Sequence, residues 1–245
     1  MRKLIIPIVA GLLCASFTII PSVQTASSDN AVAASPVIAD SSFCFAFSAA
    51  TERYNAINLQ QYGLSADAFN YAWKGYQHLL EKNMISRTDY LTICDFSQSS
   101  NKKRLYIIDV INNKLITNTY VAHGRNSGAE YATKFSNTPE SLQTSLGFYV
   151  TQNTYIGEHG LSLRVNGVDP GYNDNALARS IVIHGAAYVD EARAQQGVFM
   201  GRSFGCPAVP QKESAQIIST IKNGTCLFIY HPSRNYLLSS KILNG

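Results

Sequence analysis

The chain of 245 residues is long enough for one sizeable hydrophobic core or two small ones. Hydrophobic residues make up 46% of it and charged residues 15%, which excludes an intrinsically disordered protein. The formal net charge of +4 is spread without a basic run, so that no nucleic-acid partner is predicted.

The N-terminus has the pattern of an export signal. Basic residues 2–3 precede an almost uncharged apolar run over residues 4–20, and small residues at 31–33 match the pattern that a signal peptidase cleaves. We predict a signal peptide over residues 1–33, with cleavage after Ala26 as the alternative. We therefore expect an exported protein in the periplasm or cell envelope, without stable membrane insertion after cleavage.

Residues 34–60 are predicted to form a leader or tether, because the stretch begins with Ser, Ala, Asp and Val in no clear period. Residues 61–245 are predicted to form a single domain. In this domain Ser65 can cap a helix that continues to Asn83, with apolar side chains recurring at helical spacing. This amphipathic helix is expected to pack on a sheet.

From Tyr90 onward the pattern changes to short strands. The segments are β-branched or aromatic and are bounded by Gly, Asn, Asp or Pro: DYLTICDF, RLYIIDV, KLITNTYVA, SLGFYV, LSLRVNGV, SIVIHGA and CLFIYH. A short helix is predicted from Lys212 to Lys222. The domain is therefore predicted to be mainly β, a sandwich or barrel with a few helices. Residues 122–146 are polar and loop-like, which is typical of a segment bordering a functional site or of a disordered flap.

Four cysteines follow the predicted cleavage site, and an oxidising compartment would allow them to form disulfides. They are Cys44, Cys94, Cys206 and Cys226. Four cysteines allow three pairings. If Cys206 must stay a thiol, either Cys44 is bonded to Cys94 or all four are free.

Two residues carry the candidate chemistry. His184 ends an apolar strand directly before Gly185, whose missing side chain lets a backbone or ligand approach closely, and Cys206 follows 22 positions later. This gap allows a strand, a loop and a return that bring thiol and imidazole together. An imidazole that takes the thiol proton leaves a thiolate, which attacks carbonyl carbon. Asp190 or a backbone carbonyl could fix the histidine tautomer.

The residues around Cys206 suit an acyl-transfer site. Gly205 leaves room for a substrate carbonyl, and amide N–H groups near the cysteine could hold an oxyanion. Ser203 could orient the imidazole or bind the carbonyl, and Arg202 carries a charge suited to a carboxylate. The histidines show no metal-binding spacing, so that no metal and no cofactor is predicted.

The segment IVIHG followed by GRSFGCPAV resembles the signature of the murein L,D-transpeptidases, in which a histidine-glycine precedes Ser/Thr-x-Gly-Cys by about twenty positions. Three further segments resemble the branch of that family whose cysteine precedes Pro-Ala: YVAHGRNSG, FSNTPESLQTSLGFYVTQNTYIGEHGLSLRVNG and NDNALARSIVIHGAAYV. The resemblance runs from about Leu64 to His231. It implies an L,D-transpeptidase-like β-sandwich with a few flanking helices, here a catalytic domain over residues 61–245.

The resemblance also implies an activity. Cys206 would attack the carbonyl of the third residue of a peptidoglycan tetrapeptide stem and expel the terminal D-Ala. An amine of a second stem would then resolve the thioester into a 3→3 cross-link, with His184 as the base. Gly205 and Cys206 would frame the oxyanion site, and Ser203 would support the histidine or the substrate. Acylation of Cys206 by carbapenems is a further implication.

Two positions depart from the commonest family pattern. Phe204 stands where many members have a second histidine, and Pro207-Ala208 replaces the polar or arginine-bearing tail after the cysteine. His123 is the candidate substitute for that histidine, because its HGRNSG segment could fold near the cleft. We therefore predict His123 as a substrate contact.

The other substrate contacts are predicted from their positions in the chain. Arg202 ranks first for a substrate carboxylate, ahead of Arg125 and Arg193. Tyr188 is a candidate cleft contact, and Gly185 allows a ligand to approach.

Two other functions remain open at this point. Water could resolve the thioester in place of an amine, which would make the protein an L,D-carboxypeptidase or another hydrolase of stem peptides. Alternatively, a Cys206–Cys226 disulfide would leave a non-catalytic peptidoglycan-binding module.

Overall fold

A computed structural model describes residues 41–245, with side chains from residue 48 onward. The predicted signal peptide over residues 1–33 and the start of the predicted tether lie outside the described residues. None of the helices between residues 41 and 245 combines the length and the apolar character that a bilayer-crossing segment requires.

Eight strands in the described part of the chain form one sheet. In chain order they are β1 (Tyr90–Asp95), β2 (Leu105–Asp109), β3 (Lys114–Thr119), β4 (Gly147–Gly157), β5 (Gly160–Gly167), β6 (Val182–Ala186), β7 (Ala208–Pro210) and β8 (Cys226–Tyr230). Their order across the sheet is β3-β2-β1-β8-β4-β5-β6-β7. The predicted mainly β fold with a few helices is confirmed.

Six α-helices accompany this sheet within residues 41–245. They are α1 (Ser41–Ile57), α2 (Ala66–Glu81), α3 (Glu191–Gln195), α4 (Ser214–Ile221), α5 (Arg234–Ser239) and α6 (Lys241–Asn244). The prediction of a short helix between Lys212 and Lys222 is confirmed by α4, whose isoleucines at 217, 218 and 221 are buried.

Helix α2 confirms the strongest helical pattern of the sequence. The Ser65 side chain accepts a hydrogen bond from the Ala68 amide at 3.1 Å, which satisfies one of the free N–H groups of the first turn. The apolar stripe of the helix is buried against the sheet. Gly75 is the point of closest approach, because a Cβ there would lie 2.0 Å from the Phe148 ring on β4. The domain core therefore lies between α2 and the central strands.

The predicted tether is wrong over residues 48–60. Helix α1 packs on α2, and its side chains at Ala50, Tyr54 and Ile57 are buried in the main core. The Tyr54 hydroxyl donates a hydrogen bond to the carbonyl oxygen of Leu64 at 2.6 Å. These three apolar residues recur at helical spacing, but the Ser- and Ala-rich composition before them obscured the signal. The folded domain therefore begins before residue 61.

Two of the described cysteines belong to the core. Cys94 on β1 and Cys226 on β8 are free thiols with no exposed surface, and Cys206 is also free. The free state of Cys94 favours the arrangement without a bond to Cys44, whose side chain is not described. The Cys206–Cys226 disulfide required by the non-catalytic alternative is absent.

Candidate active site

Cys206 and His184 line one cavity of about 420 Å³. Its wall contains four residues of the β4–β5 hairpin, five residues from or beside β6, and four residues of the turn before β7: Tyr155, Glu158, His159, Ser162, Arg179, Ser180, Val182, His184, Tyr188, Arg202, Ser203, Phe204 and Cys206. The structure therefore brings together the nucleophile and base candidates that the sequence separates by 22 positions.

Parallel pairing of β6 with β7 explains this proximity. His184 pairs with Ala208, which lies two residues after Cys206. The turn before β7 is also tied to the segment around His123, because the amide of Ser203 donates to the His123 carbonyl at 3.2 Å and the amide of Arg125 donates to the Ser203 carbonyl at 2.7 Å. The turn that carries Cys206 is thus held both by β6 and by the segment around His123.

The Cys206 side chain is half-buried and has two backbone contacts. The Val182 amide donates to Sγ at 3.5 Å, and the thiol donates to the Ser180 carbonyl oxygen at 3.8 Å. Burial raises the pKa of the Cys206 thiol, whereas the Val182 amide and the Arg179 charge oppose that rise. Because no hydrogen bond joins Sγ to His184 among the described residues, proton transfer requires the thiol to turn away from Ser180.

His184 is oriented by a backbone carbonyl. Its Nδ1 lies 2.9 Å from the carbonyl oxygen of Gly185, which can only accept, so that we assign the proton to Nδ1 and leave Nε2 free as a base. Burial lowers the pKa of His184, and the nearby His159 lowers it further. Asp190, the acidic alternative, instead caps α3 by accepting from the amides of Ala192 and Arg193.

Ser203 and Gly205 shape the turn that carries Cys206. The Ser203 hydroxyl donates to the Cys206 carbonyl at 2.7 Å and accepts from the Gly205 amide at 3.2 Å. The Gly205 amide is therefore directed at Ser203 and not at a substrate. Gly205 has a φ of 120°, and a Cβ there would lie 2.8 Å from the Gln143 carbonyl oxygen and 3.1 Å from Nη2 of Arg179.

Replacing Gly205 with alanine is expected to lower activity by about 100-fold and to cost roughly 1–3 kcal/mol of unfolding free energy. The new methyl group would meet a backbone oxygen and would shift Cys206 away from the cavity. Gly171→Ala is the matched control, since Gly171 also has a positive φ but open space around its Cα. Urea unfolding and Cys206 alkylation rates measure both effects, and equal losses in the two variants would contradict the steric argument.

The predicted substrate contacts fall into two groups. Arg202 and Tyr188 line the cavity, and burial raises the pKa of Tyr188 to about 12, so that its phenol is a neutral hydrogen-bond donor.

Gly185 does not line the cavity. A Cβ at this position would lie 2.7 Å from the Ser214 hydroxyl. Its contribution is its carbonyl oxygen, which orients His184. The guanidinium of Arg125 lies 5.7 Å from the ring centre of the exposed Phe204.

The prediction of His123 as a substrate contact is wrong. Its side chain has no exposed surface, its Nδ1 lies 2.7 Å from Nη2 of the buried Arg104, and its Nε2 lies 3.2 Å from the Gly128 carbonyl oxygen. The histidine beside His184 is His159, and the two rings stack with centroids 4.2 Å apart and an angle of 21°. Sequence reasoning missed His159 because only the pairing of β5 with β6, which sets Ser162 opposite His184, brings the β4–β5 turn beside His184.

The buried His123 predicts loss of stability in acid. Burial and the Arg104 charge lower the pKa of His123 to about 4, below the unfolded value near 6.5. The unfolded chain therefore binds more protons between these values, and up to about 3 kcal/mol of stability is lost as pH falls from 6.5 to 4. Urea unfolding at several pH values should show that the unfolding free energy of His123→Gln changes less steeply with pH than that of the wild type. His78→Gln, on the partly exposed face of α2, should keep the wild-type slope, and an unchanged slope in His123→Gln would contradict the assignment.

Comparison with known families decides the classification. A family model described as the L,D-transpeptidase catalytic domain matches residues 60–230, well over half of the chain. The chain belongs to the L,D-transpeptidase catalytic domain family. The match includes both sides of the cavity, with His184 and Cys206. No protein with curated annotation matches the chain significantly.

Solved structures of L,D-transpeptidases are among those similar to this chain. An L,D-transpeptidase from Mycobacterium smegmatis is 12% identical over 58% of this chain and 59% of its own, with a TM-score of 0.36. One from Mycobacterium tuberculosis H37Rv is 12% identical over 58% of each chain, with a TM-score of 0.34. The L,D-transpeptidase of Xylanimonas cellulosilytica is 13% identical over 76% of this chain and 93% of its own, with a TM-score of 0.34. The match spans less than two thirds of the two mycobacterial proteins.

Proposed function

We propose that this L,D-transpeptidase family member is an exported enzyme that forms 3→3 cross-links between peptidoglycan stem peptides through a thioester on Cys206. The observation that carries the proposal is the shared cavity, in which a half-buried thiol lies in the same wall as a neutral imidazole with a free Nε2. The family match supports the same reaction class.

Acylation begins with transfer of the Cys206 proton to Nε2 of His184. The sulfur then attacks the carbonyl carbon of the third stem residue, and a C–S bond forms as the carbonyl oxygen becomes an oxyanion. The amide of Cys206 is the candidate donor to that oxyanion, because the Gly205 amide already donates to the Ser203 hydroxyl. Collapse of the intermediate breaks the peptide bond, and the imidazolium returns its proton to the departing amine of D-Ala.

Deacylation uses the same base. The side-chain amine of a second stem attacks the thioester carbonyl, His184 accepts the amine proton, and the C–S bond breaks to restore the thiol. Arg202, exposed in the cavity wall, is the cation best placed to hold a stem carboxylate. Water in place of the amine would give a hydrolase through the same thioester.

Muropeptides carrying tetrapeptide stems provide the direct test. Wild-type protein with donor and acceptor stems should release D-Ala and yield a dimer whose mass equals that of both stems less one D-Ala. A trimmed tripeptide without dimer would identify a hydrolase. Unconsumed tetrapeptide stems with a free, alkylatable Cys206 would contradict both enzymatic functions. N-terminal sequencing of the protein from the cell envelope would test the export proposal, with a start at residue 34 expected.

A further inference from the structure

Arg179 lies in the cavity wall, and the reaction above does not use it. Its half-buried guanidinium is engaged at four points by the loop over residues 136–145. Nη1 donates to the Ser136 carbonyl at 2.7 Å and to the Ser145 hydroxyl, and Nη2 donates to the Gln143 carbonyl at 2.5 Å and to the Ser141 hydroxyl at 3.2 Å. One side chain therefore joins both ends and the middle of this loop, which Asn126 and Ser127 also contact.

The same loop supports the turn that carries Cys206. The Thr144 hydroxyl donates to the Gly205 carbonyl at 3.2 Å and accepts from the Gly124 amide at 2.9 Å. The Gln143 carbonyl and the Arg179 guanidinium both lie against the Cα of Gly205, where no side chain would fit. The position of Gly205, and with it that of Cys206, thus depends on the loop that Arg179 holds.

The guanidinium also places a charge near the sulfur. Burial raises the pKa of the Cys206 thiol, and the Arg179 charge opposes that rise. Burial lowers the pKa of Arg179, and a negative sulfur at Cys206 would oppose that fall. The other titratable or charged groups of the cavity wall are Tyr155, Glu158, His159, His184, Tyr188 and Arg202. Arg202 is exposed, so that water and salt screen its charge, whereas Arg179 is fixed by its four hydrogen bonds.

We propose that Arg179 is a positioning residue for Cys206. Arg179 helps to hold the 136–145 loop against the turn that carries Cys206, and it keeps a fixed positive charge near the sulfur. The inference rests on the proposed role of Cys206 as nucleophile. It also assigns a function to the polar loop at residues 136–145, which contacts the turn that carries Cys206 at Gly205.

Iodoacetamide alkylation of Cys206 between pH 6 and pH 11 tests the proposal. The other described cysteines, Cys94 and Cys226, are fully buried, and the Cys206→Ala variant gives the background rate. Arg179→Gln is expected to shift the alkylation midpoint upward by about one pH unit, which is about a tenfold lower rate at pH 7. Arg179→Lys should restore most of the midpoint because it restores the charge, while D-Ala release stays low because the four-point contact is lost.

Two controls separate charge from support. Arg234→Gln removes an exposed arginine outside the cavity and should keep the wild-type midpoint. Thr144→Val removes the hydroxyl contact to Gly205 without changing any charge, and it should lower D-Ala release at an unchanged midpoint. A wild-type midpoint in folded Arg179→Gln would overturn the proposal, as would equal midpoints in Arg179→Gln and Arg179→Lys.

The proposal stays testable if Arg179→Gln does not fold, as judged by near-ultraviolet circular dichroism. Arg179→Lys and Thr144→Val must then both combine a near-wild-type midpoint with reduced D-Ala release, and wild-type release in Thr144→Val would overturn it. Alkylation needs no peptidoglycan substrate. If the wild type leaves stem peptides intact but Arg179→Gln shows the shifted midpoint, only the proposed function is contradicted. If the wild type is active but Arg179→Gln shows no shift, only the role of Arg179 is contradicted.

Discussion

Cys206→Ala is expected to abolish both D-Ala release and dimer formation, and Cys206→Ser to retain less than about one part in a thousand of the wild-type rate. Alanine cannot form the acyl intermediate. A serine hydroxyl ionises far less readily than a thiol, and the half-buried position of residue 206 makes ionisation harder still. Mass spectrometry of muropeptides, together with the intact mass of the protein during turnover, measures the products and the thioester.

Cys226→Ala is the matched control for these variants. It removes a thiol that is fully buried in β8, so that it should cost stability by about 1–2 kcal/mol but leave activity per folded molecule unchanged. Cys206→Ser should keep the wild-type unfolding midpoint, because the hydroxyl is close in size to the thiol, and Cys206→Ala should lose less stability than Cys226→Ala because residue 206 is only half-buried. Activity that persists in Cys206→Ala would end the proposed mechanism.

His184→Gln is expected to lower kcat/KM about a thousandfold near neutral pH, within the range that general acid–base catalysis contributes. In the wild type, the lowered pKa of His184 keeps the imidazole unprotonated down to a pH below 6.5, and the raised pKa of Cys206 keeps the thiol protonated at neutral pH. The resting pair is therefore neutral thiol and neutral imidazole, and the base must take the proton in each acylation. The variant leaves only the spontaneous thiolate, so that its rate should rise about tenfold per pH unit up to the thiol pKa.

A pH profile of kcat/KM from pH 5 to pH 9 separates this prediction from a general loss of structure. The wild type should show an acid limb below pH 6.5, and His184→Gln should lack it. His159→Gln is the control, since its ring stacks on that of His184 without sharing the Gly185 carbonyl. It should remove a neighbour that lowers the His184 pKa and move the acid limb upward, with a much smaller loss of rate. An identical profile in His184→Gln and wild type would exclude His184 as the base.

Much of this arrangement could be predicted from short-range patterns. The cap at Ser65, the apolar stripe of α2 and the alternation of short strands are local signals, because helix and strand periods are set by the backbone. The His184-Gly185 strand end and the Gly205-Cys206 turn also stand out locally, and the family resemblance predicted that they belong to one site. The predicted domain start at residue 61 was wrong, because α1 is stabilised by packing on α2 and the composition of residues 34–60 does not reveal that packing.

The sequence by itself determined the mainly β class and the family, and it predicted the two candidate reacting side chains, because each of these depends on residue types at recognisable spacings along the chain. Only the tertiary structure decided which other groups surround them. His123 lies in a polar segment but is buried against Arg104. His159 instead stacks on His184, and Arg179 lies in the cavity wall and donates to the Gln143 carbonyl. Side chains brought together by strand pairing have no common pattern along the chain, so that their contacts emerge only when the sheet is assembled.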